Sequence, residues 1–157
     1  MARAEDTSRI IKNANFNWPS VERKEYQQQS HRPTFCGVAR YELAGKSAGD
    51  HELNFETRYF EMEPGGYTSL EYHRHPHTVV IVRGKGKIIL ENSVKDFELH
   101  DVIYIVPNTL HQFHADADQT TGFICTVDRY RDRPVRPDSD EIKARITDPE
   151  VLKVAEW

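Results

Sequence analysis

Short runs of alternating apolar and polar positions dominate the middle of the chain. From Thr34 to about Val127, segments such as FETRYFEM, TVVIVRG, GKIILEN, DVIYIVP and GFICTVD are strand-sized and rich in β-branched and aromatic residues. Turn signals separate them: Ala44-Gly45, Ala48-Gly49, Pro64-Gly65-Gly66, Gly84 and Gly86, Asn92-Ser93, Pro107-Asn108, and Asp116 to Asp118. Regular strand and turn spacing in a chain this short predicts an all-β fold, an antiparallel sandwich or barrel. Residues 1–33 are polar, with a Gln run at 27–29 and Pro33, and read as an arm or an edge element. After Asp128 the composition shifts to RYRDRPVRPDSD. The basic run Arg129 to Arg136 there contains Asp132 and reads as a solvated connector. Two short helices are expected after it, the last with Asp148 as N-cap and Pro149 at its first position. The predicted organisation is an N-terminal arm over 1–33, a barrel over 34–130 and a C-terminal extension over 131–157.

Bulk properties narrow the class of protein. With 157 residues the chain fits one domain. The formal net charge of -4 gives no basic footprint for nucleic acid. The longest apolar run, Val79-Val80-Ile81-Val82, is far shorter than a membrane span. The opening MARAEDTSRIIKNANFNW lacks an apolar signal core, so a cytoplasmic location is expected. Cys36 and Cys125 are far apart and, in a reducing compartment, are expected to be free thiols.

Histidines carry the candidate chemistry. In a strand, side chains two apart point the same way, so Glu71, His73 and His75 share a face if the strand runs that far. Pro76 then interrupts the ladder, and His77 opens the next strand. In VPNTLHQFH, His111 follows a turn and begins another strand. Imidazoles and a carboxylate on one face suit a first-row divalent metal. His51, His100 and His114 read as structural.

These residues bring the chain to a family. Residues 64–84, PGGYTSLEYHRHPHTVVIVRG, resemble the first motif of the cupin superfamily, G(X)5HXH(X)3–4E(X)6G. Gly84 takes the place of its last Gly, His77 the Glu, His73 the second His, Glu71 the first His and Gly65 the first Gly. The spacing is kept, with Glu and His exchanged at the two ends of the ligand set. The second motif, G(X)5PXG(X)2H(X)3N, is similar to DVIYIVPNTLHQFHA. There Asp101 and Thr109 replace glycines, Pro107 fits, His111 comes one residue early and Ala115 stands near the final Asn. A rival register pairs His73 with His75 and places His77 after a shortened turn. His73, His77 and His111 are ligands in either register, while Glu71 and His75 compete for the fourth place. The resemblance covers about residues 55–130. It implies a double-stranded β-helix, or jelly-roll barrel, holding one divalent transition metal. Manganese leads among the metals implied, with Fe, Ni, Co and Zn also compatible with the donors.

Other side chains complete the expectation. Cys125 shares a face of GFICTVD with Phe123 and Val127, and a thiol facing the pocket would be the catalytic nucleophile. Tyr59 and Phe113 are candidate pocket walls. Arg40 and Arg58, with Arg83, are candidates for an anionic substrate group. Gln112 follows a ligand and should point the other way. The resemblance is narrower still to a bacterial group of stand-alone cupins with runs similar to VPNTLHQF and GFICTVDRYRDRP. It implies an enzyme moving a methylthio group from a methylthio-xylulose phosphate to a thiol. A dioxygenase, a sugar-acid isomerase or lyase, and a non-catalytic binding module for metal or small ligand are the alternatives. A small-molecule substrate and a homodimer are expected, with neither nucleic acid nor membrane as partner.

Overall fold

Nine strands carry the alternating segments in the computed structural model, which describes residues 7–26 and 34–157. The Gln run at 27–29 and Pro33 lie outside the described residues. The strands are β1 (Arg23–Glu25), β2 (Cys36–Ala44), β3 (Phe55–Tyr67), β4 (His77–Arg83), β5 (Gly86–Leu90), β6 (Ser93–Phe97), β7 (Val102–Ile105), β8 (His111–Ala115) and β9 (Thr121–Asp128). A 3-10 turn, Lys46–Ala48, links β2 to β3, and the helices α1 (Ser139–Arg145) and α2 (Pro149–Val154) follow the last strand. All pairings between strands are antiparallel, in the order β6-β5-β8-β3-β9-β4-β7, with β2 also beside β3 and β1 beside β2.

The period of two decides what each strand gives to each face. On β3, Arg58, Phe60 and Met62 turn to the concave side, where they meet Val79 and Ile81 of β4, Phe113 of β8, and Phe123 and Cys125 of β9. The alternate residues point outward. Tyr59 is fully buried there, in a second cluster with Trp18, Tyr41 and Leu43. The Trp18 ring lies 4.7 Å from that of Tyr59 and 5.3 Å from that of Tyr41. Each large ring buried in this way contributes about 2 kcal/mol. The described part of the N-terminal segment is therefore a layer on the outer face, fixed to the sheet through β1.

One sequence expectation changes here. Pro64-Gly65-Gly66 does not separate strands, because β3 runs through it. Gly65 takes φ +71°, a conformation that bends the strand without ending it, and its N–H donates to Asp116 O at 2.9 Å. Beyond the bend Tyr67 pairs with Cys36 of β2 on one side and with His114 of β8 on the other. The C-terminal helices do form, capped by the side chains of Asp138 and Asp148. They seat Ile142, Ile146 and Val151 on Leu70, Ile89 and Leu110. Gln112 does point away from the cavity, as expected. Its amide donates to Thr68 O and Glu156 O, both at 2.8 Å, and ties the C-terminal segment to β8.

Gly122 on β9 shows how closely the outer layer packs. A Cβ at this position would lie 2.1 Å from the Tyr59 hydroxyl. Gly122→Ala is expected to lower unfolding stability by about 1–3 kcal/mol in denaturant titration. An unchanged midpoint would mean that the ring moves aside freely.

Candidate metal centre

Backbone geometry brings the histidines together by a route other than the shared strand face. β3 ends at Tyr67, so residues 71–75 form no continuous ladder. Glu71 and Tyr72 make single bridges instead, to His111 and Val135. The bridge to His111 is doubled, Glu71 N to His111 O at 3.1 Å and His111 N to Glu71 O at 2.9 Å, and it sets the segment bearing His73 against the start of β8. Pro76 then turns the chain, and His77 opens β4 as the sequence indicates. His111 opens β8.

Three ring nitrogens converge. The ligand atoms of His73, His77 and His111 all lie within 4.8 Å of one another. Two nitrogens bound to one ion at about 2.1 Å are at most roughly 4.2 Å apart, so ring shifts of a few tenths of an ångström close the site. His73 Nδ1 lies 2.7 Å from His75 O, and His111 Nδ1 lies 2.8 Å from Thr109 O. A carbonyl only accepts, so each Nδ1 carries the hydrogen and each Nε2 keeps its lone pair. His77 Nδ1 is 3.2 Å from Cys125 Sγ, while its Nε2 is buried with no hydrogen-bond partner. Such an orphaned acceptor is costly unless a further group occupies the cavity. Burial drives the His111 pKa down to about 4 and that of His77 further still, and it lowers that of His73. Neutral imidazole is the form that binds a metal, so the donor set fits a divalent transition ion.

The two candidates for a fourth place stand outside this cluster. The His75 ring stacks on His73, with centroids 3.7 Å apart and planes 5° from parallel. Asp132 fixes it there through His75 Nδ1 at 2.8 Å and His75 N at 3.0 Å. Glu71 lines the same cavity. Its carboxyl makes no hydrogen bond or ion pair among the described residues. Burial raises its pKa to about 7, against the pull of Arg136 and Arg58.

The cavity has a volume of about 970 Å³. Cys125 lines it and is 2% exposed. Burial pushes its thiol pKa up, and the Arg58 guanidinium, whose Nη2 donates to Sγ at 3.5 Å, opposes that shift. Arg40, Arg58 and Phe113 also line the cavity. Tyr59 does not, and the expectation that it contacts substrate is corrected: its neighbours Arg58 and Phe60 take the inner face, so it points outward to Trp18. Arg83 is likewise outside, paired with Glu61 at 2.9 Å. His114 stays structural, 3.0 Å from Gln112 Oε1 and packed on Tyr67.

Sequence reasoning missed the largest group of cavity residues. The connector after β9 folds back over the opening, and Arg129, Arg131, Asp132, Arg133 and Arg136 line it. Two ties hold it there. Asp132 accepts from the backbone of Arg74 and His75, and Val135 exchanges hydrogen bonds with Tyr72 at 2.8 and 3.0 Å. The alternation of Arg with Pro and Asp was the available signal. It suits a solvated loop equally well, so only the pairing with residues 72–75 decides between the two.

A curled antiparallel sheet enclosing three histidines from the starts of two strands and the turn before one of them defines a cupin, and the chain belongs to the cupin family. The cupin domain model (Cupin_2) matches residues 58–127. The 1-methylthio-D-xylulose 5-phosphate methylsulfurylase of Rhodospirillum rubrum is 36% identical over 124 residues, covering 79% of this chain and 76% of that protein. A cupin 2 conserved barrel domain protein from Rhodopseudomonas palustris superposes with a TM-score of 0.84 at 34% identity, over 93% of this chain and 97% of that one. A cupin 2 domain-containing protein from Halorhodospira halophila gives 0.72 at 39% identity, over 95% and 96%. Among the described residues no helix is long and apolar enough to cross a membrane.

Proposed function

We propose that this cupin is a metal-dependent enzyme that transfers a methylthio group from a methylthio-xylulose phosphate to a thiol. The observation that carries the reading is a thiol built into the wall of the three-histidine cavity, with Cys125 Sγ 3.2 Å from His77 Nδ1. The name of the Rhodospirillum rubrum relative supports the substrate class. His73, His77 and His111 would hold the metal, with manganese our preferred ion. Glu71, whose carboxyl is unpartnered, is the better fourth ligand, because Asp132 already engages His75. When bound, the metal supplies Lewis acidity to a sugar carbonyl.

The protein's own groups act around that centre. His77 Nδ1 would donate to the Cys125 sulfur once Nε2 is committed as a ligand. Arg58 places positive charge beside the same sulfur. The Cys125 sulfur forms a bond to the methylthio sulfur, and the carbon–sulfur bond to the sugar breaks. Its electron pair stays on the sugar carbon, delocalised into the adjacent carbonyl, and the proton given up by the thiol ends there. An external thiol then takes the methylthio group as a mixed disulfide and restores Cys125. The test is incubation of manganese-loaded protein with the methylthio-sugar phosphate and a thiol, read as the mixed disulfide by mass spectrometry. Ligand-dependent stabilisation without product would favour a binding module instead.

We also propose a homodimer. Strand β7 ends the order of the sheet and has Val102 65% and Tyr104 63% exposed, an unpaired apolar edge of the kind that a second copy covers. Light scattering is expected to give the mass of two chains, and a monomeric mass refutes it.

A further inference from the structure

The chain carries a formal charge of -4, yet the wall of this cavity has the opposite sign. Seven cationic side chains line it: Arg40, Arg58, Lys46 and four arginines of the returning connector. Only three carboxylates, Glu56, Glu71 and Asp132, face them. Glu56 is taken by Arg131 at 2.5 Å and by Ser47, and Asp132 by His75 and the backbone of residues 74–75. Arg40 pairs with Glu42 at 3.4 Å, and Arg129 caps the carbonyls of His51 and Leu53.

Three guanidinium groups are left with no hydrogen-bonded or ion-paired oxygen among the described residues. Arg58 rests on the Phe60 ring, and its Nε is buried with no partner. Arg133 and Arg136 make no hydrogen bond or ion pair at all among the described residues. Both directly follow the two ties that hold the connector over the cavity: Arg133 follows Asp132, and Arg136 follows Val135. Their backbones are thus fixed while their forks are unspent. Arg58 and Arg136 also act together on Glu71, whose pKa both pull down, so they approach the same region of the cavity. A cluster of planar donors in a partly desolvated wall matches a dianionic phosphate monoester.

We propose that Arg58, Arg133 and Arg136 form a phosphate subsite for the substrate, with the connector 129–136 as the element that carries it. This rests on the reading of the cavity as the site of a phosphorylated sugar. It places the phosphate between Arg58 on the barrel wall and the two arginines of the connector. The connector is then a specificity element of the barrel and not a spacer between the barrel and its C-terminal helices.

Binding without turnover tests this. Titration calorimetry on the metal-loaded protein compares xylulose 5-phosphate, xylulose and inorganic phosphate. The phosphorylated sugar is expected to bind, with an affinity that falls as salt rises. Xylulose is expected to bind at least about a hundredfold more weakly, and inorganic phosphate to compete with the phosphorylated sugar. Arg133→Gln and Arg136→Gln are each expected to weaken the sugar phosphate roughly tenfold. Neither side chain holds structure, so metal content and melting temperature should stay as in the parent. Equal affinity of parent and double variant, or equal affinity for xylulose and its phosphate, overturns the subsite. Absence of methylthio transfer with the arginine dependence intact would instead refute the reaction and leave the subsite standing.

Discussion

His77→Ala and His111→Ala will each lose the metal, with affinity falling by more than about a hundredfold. Removing a partner that only orients a metal-bound histidine costs 10–100-fold, and removing the ligand costs more. Elemental analysis of protein never exposed to chelator measures it, with near-stoichiometric metal in the parent and little in either variant. Stability gives a second reading. Metal held at a thousand times its dissociation constant stabilises the folded state by about 4 kcal/mol, so chelator should lower the melting temperature of the parent and leave the variants unmoved. The pH dependence has a definite sign. Burial holds His111 near a pKa of 4 and His77 lower, while the unfolded chain protonates its histidines near 6.5. The metal-free protein therefore loses stability as pH falls from about 6.5 toward 4, because the unfolded state takes up protons that the folded state refuses. Full metal occupancy in both variants would end the assignment of these residues as ligands.

Cys125→Ser is expected to lower methylthio transfer by at least about a thousandfold, because the hydroxyl cannot take the group as a disulfide. The metal should stay bound, since Cys125 touches His77 through Nδ1 and leaves Nε2, which has no hydrogen-bond partner, for the ion. The buried hydroxyl is expected to cost about 1 kcal/mol of stability, well short of unfolding. Parent protein given substrate without an external thiol should gain the mass of one methylthio group on the peptide containing Cys125, and the variant should not. Undiminished transfer by the variant would mean that the external thiol attacks the substrate directly.

Much of the fold was legible because its signals are local. The β-branched runs gave most of the strands, and Asp148-Pro149 marked α2. The spacing from Glu71 through His77 to Gly84, with His111 after its Pro turn, located the histidine cluster. Tyr59 was misplaced for a physical reason. β3 is buried on both faces, by the cavity core on one side and the Trp18 layer on the other, so its apolar pattern carries no phase. Pro64 to Gly66 reads as a turn because nothing local distinguishes a turn from a bend inside a long strand.

The amino-acid order by itself determined an all-β barrel, the residues able to bind a metal and the two strands that begin with histidine, since these depend on side-chain period and on backbone constraints a few residues apart. The tertiary structure alone decided that Cys125 sits beside His77, 48 residues away, and that Asp132 returns to hold His75 across 57 residues. It also turned a charged connector into one wall of the cavity. Such contacts follow from strand register and closure of the sheet, as in the pairing of Val79 with Cys125 between β4 and β9. Register is fixed by the packing of the whole barrel, and no short window of sequence contains it.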